Sequence, residues 1–245
     1  MLVSRDQGGG AMPSPTVGEY WVRTTIDRPD PTEYQALRSY STANISDALS
    51  KLQTLPQGIK PIYLGCPPLL GPAITVQVSP GDELLPLKAI EIAEPGDVIV
   101  IAGAYSSRFC IWGGVMSYMA KMRGIAGLVT DGLVRDVHQI KTTAFPVYAA
   151  GLTPAGTCRD VPPGLLNYPL AVGTAVVNPG DVIAADEDGV VCIPRDQIST
   201  IDAAVREKLA REDQWMRTIQ ETRQMVFKDE VDRILAERRT HYLKR

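Results

Sequence analysis

The chain has 245 residues, 44% of them hydrophobic and 22% charged, which is ordinary globular composition in a chain long enough to bury a core without staples. A net charge of −3 gives no global basic field of the kind that binds nucleic acid, and no apolar run reaches the roughly 18 residues that a membrane span needs. Four scattered cysteines with no CxxC pair, and only two histidines, argue against a zinc site or a His-based triad and for reduced thiols.

The N-terminus lacks a charged start followed by an apolar core, so no secretory signal is expected and a cytoplasmic location is. Residues 1–18 hold GGG and two Ser/Pro steps and read as a flexible arm. Thr32 to Leu52 is helical in pattern, with a break and a fresh N-cap within Ser41 to Leu49. Gly71 to Val78 turns to a strand-like period, Leu84 to Ala93 is a short helix, and Pro95-Gly96-Asp97 turns into a buried strand, Val98 to Ala102. The same device recurs at Pro179-Gly180-Asp181. There it leads into two apolar runs joined by Asp186-Glu187-Asp188-Gly189, a hairpin signal. Separated βα units with a late hairpin predict an α/β domain over residues 19–195 with a mixed sheet. From 196 to 245 apolar residues recur at helical spacing among many charges, which predicts a C-terminal helical extension.

Trp112 to Pro146 carries the chemistry. It reads as a glycine turn, a helix from Gly113-Gly114-Val115-Met116 to about Arg123, a strand from Gly127, an Asp131-Gly132 turn, and a second helix start after Arg135-Asp136. Free N–H groups at a helix start hold a carboxylate or phosphate, and glycine admits a ligand close to the backbone. The plainer reading of Gly113-Gly114 is a tight turn. An Arg fork suits the oxygens of a keto acid, and an Asp beside it suits a hard divalent ion completed by water. The plainer reading of that pair is a capped helix start with a surface ion pair.

The block WGGVMSYMAKMRGIAGLVTDGLVRDVHQI resembles the RraA-like family, which includes class II 4-hydroxy-4-methyl-2-oxoglutarate aldolases and the regulator of ribonuclease activity. STANISDAL (Ser41 to Leu49), Gly71-Pro72-Ala73, Pro95 to Ile99, Phe145-Pro146-Val147 and Pro179 to Val191 fit in order, so the likeness spans roughly residues 32–215. It implies a layered α/β/α fold of the swivelling β/β/α type, assembled as a homotrimer or a dimer of trimers. The family's substrate-carboxylate loop falls on Gly113, Gly114, Val115 and Met116, its substrate arginine on Arg135 and its metal-binding aspartate on Asp136. A glutamate from a neighbouring subunit, matched to Glu212, would help hold the hydrated Mg²⁺ or Mn²⁺. The aldolases usually carry an acidic residue where this chain has Gly114.

The resemblance implies a metal-dependent lyase that cleaves a 2-oxo acid to pyruvate through an enolate, as an aldolase, an oxaloacetate decarboxylase or both. The alternatives are a non-catalytic regulator of another protein, or a related metal-dependent enzyme with another substrate. Asp136 favours an enzyme. Arg108, in the loop before the glycines, is a candidate for a distal substrate carboxylate. Ordinary roles are expected for His138 (surface), Lys121 (solvated helix face), Asp82 and Glu83 (helix start), Asp186 to Asp188 (hairpin turn) and Trp112 (packing anchor).

Overall fold

The computed structural model describes residues 15–16, 18–104, 108–158 and 162–243, so most of the expected N-terminal arm lies outside the described residues. In chain order the first half forms β1 (Trp21–Val22), α1 (Pro31–Tyr34), a 3-10 turn (Gln35–Ser39), α2 (Thr42–Ala48), β2 (Lys60–Pro61), β3 (Leu69–Gln77), α3 (Leu84–Ile92) and β4 (Val98–Ala102). Then come β5 (Cys110–Trp112), α4 (Gly114–Met122), β6 (Gly127–Val134), α5 (Val137–Thr143) and β7 (Val147–Leu152). The last part holds β8 (Leu165–Leu166), β9 (Leu170–Val172), β10 (Ala175–Val177), β11 (Val182–Asp186), β12 (Gly189–Ile193), a 3-10 turn (Arg195–Gln197), α6 (Ile198–Thr222) and α7 (Lys228–Glu237).

The sheet is mixed, as expected. β3, β4, β6 and β7 lie side by side and parallel, while β2 and β8 add antiparallel partners to β7 and β3. β3 serves two layers. Its residues from Ala73 on pair with β4, whereas Leu69 to Pro72 pair antiparallel with β11 of the late hairpin. Gly71 sits at this crossing, where a Cβ would meet the Gly96 carbonyl at 2.0 Å.

Strand alternation sorts the core into three clusters. Ile99 and Ile101 of β4 face α3, α4 and α5 in one cluster with Leu85, Ala89, Met116, Ala120 and Ile140. Val98 and Val100 face the other way, toward Val172, Val177, Ile183 and Ala185 of the β9–β12 layer. The opposite face of that layer, Val182, Ala184, Val191 and Ile193, packs on Tyr34, Ile45, Ile198, Ile201 and Val205 of α1, α2 and α6. Two strand layers are thus enclosed between two helical ones. The first turns of α6 belong to this core, and beyond them α6 is largely exposed until Trp215 meets Phe227 edge-on at 4.8 Å. Among the described residues no helix is long and apolar enough to cross a membrane.

The repeated Pro-Gly-Asp step is the same turn built twice. Gly96 and Gly180 adopt φ of +94° and +88°, a region that favours glycine. The aspartate that comes after each accepts the backbone N–H three residues back, Glu94 N–H on Asp97 at 2.7 Å and Asn178 N–H on Asp181 at 2.8 Å. Ser41 caps α2 through the Asn44 N–H, at the break expected from the sequence.

One expected element is corrected. Asp131-Gly132 is not a turn between two elements, because β6 runs through it with a shift of register against β7 between Thr130 and Leu133. The Asp131 carboxylate holds this bulge by accepting the N–H groups of Gly103 (3.0 Å) and Ala104 (3.1 Å) at the end of β4. Gly132 then passes so close to Ala104 that its Cβ would lie 2.6 Å away.

Candidate functional site

β5 and the end of β6 are parallel neighbours, with Trp112 in register with Val134. The residues just beyond each strand therefore emerge at one edge of the sheet, the carboxyl end where open α/β sheets gather their ligands. After β5 comes Gly113 and the start of α4. After β6 come Arg135 and Asp136 and the start of α5. The Arg135 N–H donates to the Trp112 carbonyl at 3.1 Å, which ties the two corners together. Trp112 is fully buried, lies parallel to Phe145 at 6.3 Å between ring centres, and donates its indole N–H to Ser117 Oγ at 2.8 Å.

Asp136 occupies the N-cap position of α5 but does not cap it. Its backbone is left-handed, φ +62° and ψ +39°, an uncommon state for a residue with a Cβ. That turn sends the carboxylate across to α4, where Oδ2 accepts the Gly114 N–H at 3.1 Å. Oδ2 also lies 3.5 Å from Arg135 Nε. The plain reading of a capped helix with a surface ion pair accounts for the ion pair alone.

Neither glycine is there for a left-handed turn. Gly113 is extended, at φ −153° and ψ −170°, and Gly114 does not have a positive φ. They are glycines because α5 and Arg135 come so close. A Cβ on Gly113 would lie 2.8 Å from Asp136 Oδ2 and 3.4 Å from Arg135 Cγ, and one on Gly114 would meet Gln139. Gly113 offers no side chain to cap α4, so among the described residues the N–H groups of Val115 and Met116 at its positive end meet no side-chain cap and can face a ligand or solvent.

Beside these groups opens a cleft of about 380 Å³ lined by Val134, Arg135, Asp136, Val137, Leu152, Thr153 and Pro154. Its far wall is the turn after β7, which the sequence reading did not include. In that turn Thr153 Oγ donates to the Arg108 carbonyl at 3.2 Å, and a Cβ on Gly156 would press on Arg135 Nη1 at 3.0 Å. The signal was present in Gly151-Leu-Thr-Pro-Ala-Gly156, a strand end and then turn residues, but its nearness to Arg135 depends on β6–β7 pairing. Gln139 was missed as well: a Cβ on Gly114 would meet its side chain, a packing distance between α4 and α5 that no local pattern shows.

The other candidates lie around this centre or away from it. The Arg108 guanidinium lies over the Phe109 ring at 4.9 Å. His138 is exposed, and Lys121 is exposed with Nζ 3.5 Å from the Ala144 carbonyl. Glu212 lies on α6, where its partner within the chain is Lys208 at 2.8 Å. Asp186 caps α2 by accepting the Thr42 N–H at 2.8 Å. Cys110 is buried in β5, and burial pushes its thiol up against the opposing pull of Arg135, so it stays a neutral thiol.

Whether the residues suit a divalent ion turns on Asp136. Its Oδ1 has no hydrogen-bond partner among the described residues, and its side chain is 39% exposed. No group of three or more His, Cys, Asp or Glu side chains converges among the described residues. That donor set does not suit zinc. It fits a hard ion that keeps most of its water and takes one carboxylate oxygen, as Mg²⁺ and Mn²⁺ do.

Residues 42–192 match the RraA-like family, described as Aldolase/RraA. The chain belongs to the RraA-like family. It is 40% identical over 182 residues to a Halalkalibacterium halodurans protein provisionally named 4-hydroxy-4-methyl-2-oxoglutarate aldolase, covering 74% of this chain and 86% of the relative. It is 30% identical to a Thermus thermophilus protein named 4-hydroxy-4-methyl-2-oxoglutarate aldolase, over 62% of this chain and 92% of the relative. Among solved structures, Streptomyces coelicolor RraAS2, described as an unusual member of the RNase ES inhibitor RraA family, superposes with a TM-score of 0.68 at 29% identity. It covers 80% of this chain and 99% of that one. Both branches of the RraA-like family, aldolases and ribonuclease inhibitors, are thus represented among the similar proteins.

Proposed function

We propose that the protein is a divalent-metal-dependent lyase that cleaves a C–C bond of a 2-oxo acid to release pyruvate, as an aldolase, an oxaloacetate decarboxylase or both. The observation that carries this reading is the crossing of Asp136 from its own helix to the Gly114 N–H, with Oδ2 also beside the Arg135 guanidinium and Oδ1 without a hydrogen-bond partner among the described residues.

Arg135 presents a planar fork to the carboxylate and keto oxygens of the substrate. The open N–H groups of Val115 and Met116 receive the carboxylate end. These donors are fixed before the reaction by β5, β6 and the Trp112 carbonyl, so they meet charge growing on the pyruvate fragment without reorganising. Mg²⁺ or Mn²⁺ held by Asp136 would supply Lewis acidity at the oxygen on which that charge collects. In this reading the protein works as a homotrimer or a dimer of trimers, and Glu212 of an adjacent subunit completes the surroundings of the ion.

The test is pyruvate release from oxaloacetate and from 4-hydroxy-2-oxo acids, with and without Mg²⁺. Asp136→Ala is expected to lower metal-dependent turnover by at least about two orders of magnitude, the loss of several kcal/mol of charge stabilisation. Arg135→Lys is expected to lower kcat/KM by about tenfold, since a charge-assisted hydrogen bond of the fork is lost. Equal turnover in chelator-treated wild type and in metal-loaded wild type would remove the metal from the reading. The similarity to RraAS2 favours a second reading, a regulator that binds another protein. Absence of turnover on every 2-oxo acid in the panel would move the assignment there.

A further inference from the structure

We infer that Gln139 is a positioning residue of this site: from α5, its side chain takes the place that a side chain at position 114 would occupy, against the residue whose N–H holds Asp136. This role rests on the proposal that Asp136 anchors a hydrated divalent ion.

Glycine at position 114 is not a backbone requirement, because φ there is not positive. The requirement is spatial. A Cβ at that position would lie 2.0 Å from Gln139 Oε1, 2.8 Å from its Cβ and 2.9 Å from its Cδ. A rotation of the Gln139 side chain relieves the first contact but not the second, since Cβ is fixed by the helix. The first turn of α5 therefore sits against the start of α4, and Gln139 covers the peptide whose N–H holds Asp136. Asp136 reaches Gly114 from the N-cap of α5 and Gln139 reaches it from the first turn of that helix. The amide is neutral and can both donate and accept. It adds a polar group against Gly114, whose N–H holds Asp136, without a second negative charge.

Gln139 is exposed, so its replacement does not disturb the core. The experiment measures Mn²⁺ binding by the paramagnetic resonance of free Mn²⁺, thermal unfolding, and oxaloacetate turnover for Gln139→Ala, Gly114→Ala, Gln139→Gly and the Gly114→Ala/Gln139→Gly pair. Gln139→Ala keeps Cβ and removes only the amide. It is expected to unfold as wild type does while binding Mn²⁺ about tenfold more weakly, the scale of losing a group that orients a metal ligand. Gly114→Ala is expected to weaken Mn²⁺ binding in the wild-type background. The pair should bind no more weakly than Gln139→Gly alone, because the space has been returned. Mn²⁺ affinity in Gln139→Ala equal to wild type overturns the proposal, and so do additive effects of Gly114→Ala and Gln139→Gly. A wild-type protein that binds Mn²⁺ but turns over no 2-oxo acid sinks the lyase reading and leaves this inference standing. An active wild type indifferent to Gln139 does the reverse.

Discussion

Asp82 shows what a single carboxyl costs when the fold encloses it. Its residue is fully buried, Oδ1 accepts the Leu84 N–H at 2.8 Å, and Oδ2 has no partner among the described residues. Burial pushes this carboxyl above the usual carboxylate range, and the nearby Glu83 adds to the effect. The folded chain then keeps a proton in a pH window where the unfolded chain has already lost it. The resulting stability is present at low pH and is lost as pH rises from the unfolded value through the folded one. Asp82→Asn is expected to flatten this fall, so that its urea midpoint gains on wild type as pH rises through the window above ~4. Asp131 is raised by burial in the same direction but is present in both proteins, so the difference between them isolates Asp82. Parallel midpoint curves for the two proteins would show that the folded site does not raise this carboxyl.

At the scale of elements, the sequence reveals what local pattern determines. β4, the β11–β12 hairpin and the doubled Pro-Gly-Asp turn were legible because alternation and turn chemistry act within a few residues. That the Gly113 corner and Arg135-Asp136 face each other was expected, but β5, the strand that brings Gly113 to the sheet edge, was not: Gly103 to Trp112 had read as a loop. Asp131-Gly132 was misread because its conformation depends on the distant N–H groups of Gly103 and Ala104, which no local pattern records. The closeness of α5 to Gly114 and of Gly156 to Arg135 was hidden for the same reason: each is a packing distance between elements. The bulge can be tested directly. Asp131→Ala leaves the N–H of the fully buried Ala104 without its acceptor, and is expected to destabilise the fold by about 1–3 kcal/mol, read as a lower urea midpoint. An unchanged midpoint would mean that the bulge is held by Thr130 Oγ, which accepts the Gly132 N–H at 2.9 Å, without help from Asp131.

For the molecule as a whole, the outer face of α4 matters most, because this helix begins at the site. Val115, Tyr118 and Met122 recur at helical spacing and are 68%, 56% and 69% exposed, while Met116 and Ala120 on the other side are buried. Leu152, on the cleft wall, is exposed too. A contiguous apolar face beginning at a polar site is what a subunit interface presents before assembly. Closing it with another copy of the chain suits the proposed trimer, in which an adjacent subunit brings Glu212 toward Asp136. Tyr118→Lys places a charge in the middle of this face. Loss of one central aromatic anchor is expected to weaken association by about 2 kcal/mol, about 30-fold in the association constant. In sedimentation velocity the variant should shift toward monomer at dilutions where wild type stays assembled, and turnover should fall with the assembled fraction. A variant that sediments as wild type would place the interface elsewhere on the surface. A monomeric variant with full turnover would show that one chain completes the site, and Glu212 would then have no part in it.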